Sequence, residues 1–581
     1  MKFLNTGFPS RSLGMTAVIV SVIGIFCLVG VICPAIAFAE NVEALKQQIK
    51  DMNEQIKAMQ EKIEQIEKKN TEKLQEIKEI DTRLGKAELH TATDKLSLGV
   101  ELKTRMETIH YSDMRIAPQA ISNGFFAAPP MGFNGATLMQ AQTGMANMAA
   151  AGMVPPPNSY DADNNFINTN KFRLEMRSKI SDHLSFGGRM AAYKVFGDST
   201  GIKNYQGSLG DVAFDGNTSS LPHGDAMRLE RAYFNYSNSL GSLPFNFSLG
   251  RRPSTDGPPF EYRSFGKEGG SPLSTIINWQ FDGASLNFDL DELSGIPGAA
   301  FKLCYGVGFE GDWGNASSLS ATQPDVNDVH MFGFISTLYN NDISSVVLNY
   351  ARAWDITDGF TGLTVMPFAI SKQDSNGDGV PEYFFSPNSG AYISRIEPST
   401  NIGDWDAASL LMRTNLSERF GADVDLFLSL SWTHTDPSRI SQNPFYELMG
   451  QGLLSSNGQL EDHDGYGVYA GVVFPMPYKA KLGIEYNWGS EYWFNFTGAE
   501  DSLVGSKLAV RGQVFEGYYI QPIYKNNFFV TLGGLYYDYE YTGSGNPLGK
   551  PVKISEIKSF DALNTVTDKV WVGYLSATLR F

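Results

Sequence analysis

The last twelve residues, Val570-Trp-Val-Gly-Tyr-Leu-Ser-Ala-Thr-Leu-Arg-Phe581, alternate in character. Trp571, Leu575, Ala577, Leu579 and Phe581 fall on one parity, and Tyr574, Ser576, Thr578 and Arg580 on the other. Successive side chains of a strand point to opposite faces, so this segment reads as a strand with one apolar and one polar face, closed by a terminal aromatic. A soluble sandwich alternates in the same way. The connections upstream decide between the two.

Working back from Phe581, alternating runs recur near 528–541, 508–521, 480–488, 465–474, 422–434, 406–416, 345–354, 331–339, 300–310, 280–290, 245–252, 226–236, 184–196, the stretch around Phe172–Ile180, and the stretch from Asp94 to Met106, sixteen strands in all. The connections alternate in length. Short ones, such as Ser181–His183, Asn340–Asp342 and Ser417–Gly421, are interleaved with long ones at 111–165, 197–225, 253–279, 311–330, 355–405, 435–464, 489–507 and 542–569. Short periplasmic turns and long external loops are the pattern of an outer-membrane barrel, and an even count returns both ends of the barrel to one side. The sequence therefore predicts an all-β fold, a transmembrane antiparallel β-barrel over 94–581 of about sixteen strands, or fourteen to eighteen allowing for one misread hairpin. Phe, Trp and Tyr make up 12% of the chain and 58 residues are Gly, which suits strands, tight turns and aromatic girdles.

At the other end, Lys2 and Arg11 precede an uncharged apolar run from Met15 to Ile32, followed by Ala37-Phe38-Ala39. This reads as a signal peptide over 1–39, exporting the chain. Cys27 and Cys33 sit inside it, so the mature chain is expected to keep Cys304 alone and no internal disulfide. From 40 to 90, Val42, Leu45, Ile49, Met52, Ile56, Met59, Ile63, Ile66, Ile77, Ile80 and Leu84 recur at spacings of three and four with an interruption at Asn70 and Lys73. That heptad seam predicts an α-helical coiled coil in the periplasm, and Ile at several seam positions points to a homo-oligomer of three or more chains, such as a trimer. Removing the two basic residues of the leader takes the formal net charge from −17 to −19, which excludes nucleic acid as an expected partner.

Glu88–Asp94, Leu249–Gly257, Phe281–Ser285, Asn487–Trp493 and Asp501–Ala509 resemble a family of porin-like bacterial outer-membrane proteins of unknown function. The resemblance implies a similar leader, coiled coil and barrel, and brings no substrate or catalytic residue. The final strand likewise resembles the signal that barrel-assembly machinery recognises, carried here by Trp571, Leu575, Ala577, Leu579 and Phe581.

If the apolar parity faces the lipid bilayer, the lumen receives Glu101, Lys103, Arg105, Glu107, Lys171, Arg173, Glu175, Arg177, Lys179, Arg189, Arg228, Glu230 and Arg252. This early wall is net basic, which predicts a weak preference for anions, and Asp289, Glu310, Asp423, Asp425 and Glu485 on later strands dilute it. Paired charges across strands, holding the barrel in register, explain the same residues equally well. In the fifth long loop, Asp374, Asn376, Asp378 and Gly379 carry the oxygen-ligand spacing of a calcium loop, with Glu382 at the ninth position. Phe385 stands at the twelfth, where a bidentate Glu belongs, so calcium is a partial match and no cofactor is required.

Met114, Met131, Met139, Met145, Met148 and Met153 lie without periodicity among Pro, Gly, Ala and Asn, which reads as an irregular first loop, mobile or packed into the pore mouth. The seven histidines are scattered, Cys304 lacks a haem-attachment context, and no convergent nucleophile and base is found, so the chain is not expected to be an enzyme. The sequence reads as a porin-like outer-membrane channel for passive diffusion of small polar or ionic solutes, narrowed by inward-folded loops, above all Pro253–Ser274. The alternative is a structural sheath or docking barrel, holding a partner such as a multihaem cytochrome or attaching to an external surface.

Overall fold

In a computed structural model the protein is described at scattered helical positions between Lys50 and Lys78, and from Leu96 to Phe581 except 130–131, 198–226, 267–269, 312–325, 359–361, 366–367, 388–392, 397, 443–446, 448–459, 499, 546–549 and 564. The leader, the Glu88–Asp94 stretch and, Met52 apart, the apolar residues of the heptad seam lie outside the described residues.

The sixteen expected strands are present and close into one barrel. They are β1 (Leu96–Ile116), β2 (Asn158–Lys179), β3 (Leu184–Val195), β4 (Arg228–Leu240), β5 (Leu243–Arg251), β6 (Asp282–Asp289), β7 (Ala300–Phe309), β8 (Val329–Asn340), β9 (Ser344–Thr357), β10 (Asn401–Asn415), β11 (Asp425–Pro437), β12 (His463–Pro475), β13 (Lys481–Gly489), β14 (Gly512–Tyr524), β15 (Phe528–Tyr539) and β16 (Lys569–Arg580). Each pairs antiparallel with its sequence neighbours. The seam is β1 against β16, running from Glu101 opposite Arg580 to Ser112 opposite Lys569. Phe581 completes it, since its N–H donates to the Val100 carbonyl at 3.0 Å and its own carbonyl accepts from the Val100 N–H at 2.7 Å. With no free edge, every strand finds a ladder partner on both sides, which a lipid environment requires.

Parity behaves as the alternation predicts. Leu102, Met106, Leu430, Leu532, Trp571, Leu575 and Leu579 point outward and are exposed, while Arg105, Glu107, Lys171 and Arg173 on the opposite parity are buried inside. β1 and β2 are longer than expected, at 21 and 22 residues, about twice the 9–11 that a membrane strand needs, and they project as a ribbon beyond the rim. Register shifts between Glu107 and Ile109 and between Tyr111 and Met114 mark where this ribbon leaves the barrel's pleat.

The first long loop departs from its irregular reading. Thr137 caps a thirteen-residue helix, Leu138–Ala150, through a capping box with Gln140. Met145 and Met148 on this helix pack against a cluster of Phe125, Phe133, Ala136, Ala141 and Tyr383, the last from the fifth long loop. Four alanines and Leu138 supply helix propensity that the surrounding Pro and Gly residues masked. Among the six methionines, Met114 belongs to β1, Met139 and Met153 are exposed, and Met131 is outside the described residues.

The outward band makes a directional prediction. Leu430, at mid-height of β11, is 44% exposed on the outer face, whereas Ser431 beside it is buried in the lumen. Leu430→Arg should cost about 2–4 kcal/mol of folding free energy into phospholipid vesicles, read by denaturant titration, and Ser431→Ala less than half of that.

Candidate functional site: a lumen filled by two loops

Two long loops turn back into the barrel. The first, between β5 and β6, is the Pro- and Gly-rich segment expected to narrow the lumen, and it carries a short helix, α1 (Glu261–Ser264). The second, between β13 and β14, was not expected. The two are joined inside the barrel by a parallel bridge, in which the Phe496 N–H donates to the Ile276 carbonyl at 3.0 Å and the Asn278 N–H donates to the Phe496 carbonyl at 2.6 Å. Asn495 adds side-chain donation to the Thr275 and Leu508 carbonyls, both at 2.8 Å.

On one side this plug is held by apolar packing. Ile276, Ile277, Trp279 and Phe281 of the first loop and Trp493, Phe494 and Phe496 of the second pack against Val329, Met331, Ala351, Ala353, Ile402, Trp405 and Ala407 of β8–β10. In this sector the inward parity is as apolar as the outward one. Ala351, Ala353 and Ala407 are small, which leaves room for the plug's indole and phenyl rings. Two polar contacts are made there: the Trp405 indole N–H donates to the Phe494 carbonyl at 3.1 Å, and Thr275 joins Ser409 and Ser429 in a buried hydroxyl cluster.

On the other side the plug is held by charge. Glu485 and Glu516 are directly opposed on β13 and β14, both facing the lumen, an arrangement that is repulsive in isolation. Lys507 of the second loop sits between them, 2.5 Å from Glu485 and 2.6 Å from Glu516, with its side chain 1% exposed. Arg263 on α1 reaches the same place, with Nε 2.9 Å from Glu516 and Nη1 2.9 Å from Glu500. Tyr469 and Tyr518 donate to Glu485 at 2.6 and 2.9 Å, and Tyr574 donates to Glu516 at 2.9 Å.

The strand registers place these tyrosines. Gly483, Tyr518, Gly533 and Tyr574 lie in one row across β13–β16. A Cβ on Gly483 would come within 2.1 Å of the Tyr518 ring, and one on Gly533 within 2.5 Å of the Tyr574 ring. Each glycine lets the neighbouring ring lie flat on the wall with its hydroxyl directed at a carboxylate.

The charged wall read from the sequence meets the plug at Asp256 and Asp501. Lys171 and Lys103 contact Asp501 at 2.5 and 3.3 Å. Arg173 reaches Glu230 at 2.7 Å and Asp256 at 3.3 Å, and Arg189 reaches Glu175 at 2.6 Å and Asp256 at 3.5 Å. Arg105 pairs with Glu107 at 2.6 Å, and Glu101 takes the Arg580 guanidinium at 2.8 Å. The basic excess of the early wall is thus met by carboxylates delivered from the loops, which single-strand parity cannot reveal. Burial pushes the carboxyls of Asp256 and Asp501 up, but the cations around them outweigh it and hold both below the usual carboxylate range, Asp501 far below.

The remaining wall residues are looser. Arg177 and Lys179 are largely exposed near the short-turn end, paired with Glu175 and Asp182. Arg228 is partly buried at the start of β4, and Arg252 and Cys304 line a cavity beside the plug. Asp425 pairs with Lys481 at 3.4 Å, while Asp289, Glu310 and Asp423 are exposed.

The calcium-like segment is a hairpin turn between strands Phe368–Gln373 and Glu382–Pro387. Both Asp374 oxygens accept backbone N–H groups, from Gly377 at 2.7 Å and Gly379 at 2.9 Å. Buried Glu382 accepts from Ser375 and Asn376, and Asp378 accepts from Val380. These bonds hold the turn in shape, and among the described residues no group of three His, Cys, Asp or Glu side chains is gathered together.

With this geometry established, comparison with known proteins places the sequence. The chain belongs to a family of proteins of unknown function, DUF3373, over residues 161–581. The family match begins inside β2, so the helical first loop and the Glu88–Asp94 stretch lie outside it. No curated protein matches the sequence. Among solved structures, OmpT of Vibrio cholerae, in a trimer form, is 10% identical and covers 84% of this chain and 99% of its own at a TM-score of 0.36. OprB of Pseudomonas putida is 10% identical, with coverage of 86% and 97% and a TM-score of 0.38. OmpF of Salmonella typhi, in complex with daunomycin, is 9% identical, with coverage of 84% and 97% and a TM-score of 0.37. The strand order of the family member itself carries the fold assignment.

Two outcomes are expected of the plug. Lys507→Met leaves Glu485 without a cation and Glu516 with Arg263 alone, and should lower the opening free energy of 490–511 by about 3–5 kcal/mol, read as faster amide hydrogen exchange in that segment. A carboxyl whose folded value is depressed stabilises above its unfolded value, about 3.9 for Asp, and loses that contribution as pH falls toward the folded value. The contact of Asp501 with Lys171 and Lys103 should therefore survive at pH 5 and weaken only in stronger acid, checked by protease cleavage within the plug as a function of pH.

Proposed function

We propose that this protein is a porin-like channel of the bacterial outer membrane for small polar or ionic solutes, in which two resident loops restrict passage to the space they leave along the wall. The supporting observation is the closed sixteen-stranded barrel with an apolar outer face and a charged inner one. No arrangement for bond making is needed for this reading. Solute transfer rests on the wall's charges and on the width left beside the plug.

The heptad seam supports a homo-oligomer, with a trimer the state we propose, its coiled coil and both mature termini on the periplasmic side. The final strand, with its outward Trp571, Leu575, Leu579 and Phe581, suits recognition by barrel-assembly machinery. A second reading, a structural or docking barrel, draws on the apolar core joining the plug to β8–β10, which is more packing than a simple constriction requires.

Planar-bilayer recording separates the two. The channel reading expects small single-channel conductance from the native protein and a rise of several-fold in Lys507→Met, in which the charged attachment is weakened while the aromatic one remains. A folded protein silent in both forms would favour the structural barrel.

A further inference from the structure

Most lumen-facing cations described above are matched by a carboxylate, but Arg252 and Lys302 are not. Arg252 follows β5 and has its Nε 3.3 Å from the Ser248 hydroxyl, with the Cys304 thiol also within hydrogen-bonding reach. Lys302 lies two residues before Cys304 on the same face of β7, close enough to interact with both Cys304 and Arg252. Among the described residues, no Asp or Glu lies within salt-bridge distance of either cation. Two neighbouring cations repel one another, and a lumen that pairs Lys103, Lys171, Arg173 and Arg189 so thoroughly offers this pair no carboxylate among the described residues.

The same place holds a cavity. About 70 Å³ of space lies between the first plug loop and β6–β9, bordered by Arg252, Cys304 and Asn349 on its polar side and by Ile277, Phe281 and Met331 on its apolar side. Such a volume holds several waters or one small organic ion. Asn349 is 2% exposed, and its side-chain oxygen has no hydrogen-bond partner in the protein, so the cavity also presents an unsatisfied polar atom. A cation at one edge, Arg252, and hydrocarbon at another suit a solute with the same division: a carboxylate head and a short aliphatic tail. An inorganic anion would use the charges and gain nothing from Ile277, Phe281 and Met331.

We propose that this cavity is a binding station for short-chain monocarboxylates, held by Arg252 at its wall and favoured by the nearby charge of Lys302, on the solute path around the plug. The assignment of a path rests on the channel reading, whereas the station itself can be tested without current. Cys304 is a reporter already in place.

In the full-length protein in vesicles, with Cys304→Ser as the blank, the sulfonate-bearing methanethiosulfonate reagent should modify Cys304 at least about tenfold faster than the trimethylammonium reagent, since the two cations attract one and repel the other. Propionate should slow the sulfonate reagent more than chloride does at equal ionic strength. Arg252→Gln/Lys302→Gln should abolish both effects, and Arg252→Lys/Lys302→Arg, which keeps the charge, should retain the reagent preference. Equal rates for the two reagents, no labelling of Cys304, or equal protection by chloride and propionate would each overturn the station. Reagent preference and propionate protection in a protein that passes no current would uphold the station and reject the channel.

Discussion

The lumen of this barrel is organised around one ammonium group between two carboxylates. Glu485 and Glu516 face each other across adjacent strands, and neither can be ionised there at low cost until a cation arrives. Lys507 is that cation, and it comes from the loop that links the same two strands. Its position fixes the loop inside the barrel and brings Asp501 within reach of Lys171 and Lys103. Arg263 ties the other loop to one of these carboxylates, Glu516, and to Glu500 of the second loop. A buried pair of this kind is a weak source of net stability but a strong source of specificity, because removing one member strands the others. The Tyr518 and Tyr574 hydroxyls, admitted by Gly483 and Gly533, complete the shell.

The strand set was legible in the sequence because it depends on a local, repeating signal. Period-two alternation and the contrast between short and long connections need no knowledge of distant residues, and they located all sixteen strands and the outward direction of Trp571 and Leu575. The terminal strand therefore announced itself, and the register of β16 against β1 confirms its parity. The helix Leu138–Ala150 was missed because a short capped helix amid Pro and Gly leaves only its Thr137/Gln140 box and its alanines as signals.

The plug was half legible. Pro253–Ser274 has the composition of a rigid inward loop, but the second loop was read as external although it carries Trp493, Phe494 and Phe496, three large apolar residues within four positions. A solvated loop has no use for such a run, and that was the available clue. Ala351, Ala353 and Ala407 were the complementary clue on the wall, since small apolar residues on the inward parity of a polar lumen imply something to be accommodated. The charge pairing was not legible at all. Arg173 meeting Asp256, or Lys171 meeting Asp501, depends on how two loops cross the interior, and strand parity carries no information about that.

The two halves of the plug's attachment differ in what it takes to open them. Seven buried apolar side chains of the plug line the core against β8–β10, and exposing them would cost roughly 10–20 kcal/mol at 1.5–3 kcal/mol each, taken as an upper bound. The attachment to β1–β4, by contrast, consists of ion pairs, whose charges water can solvate once it enters, so opening that side returns much of what it breaks. Expelling the whole plug is therefore disfavoured against admitting water along its edges. On the proposed channel reading, wetting around a resident core opens the path, and the space already present beside Arg252 needs no aromatic contact to be broken before a solute enters it.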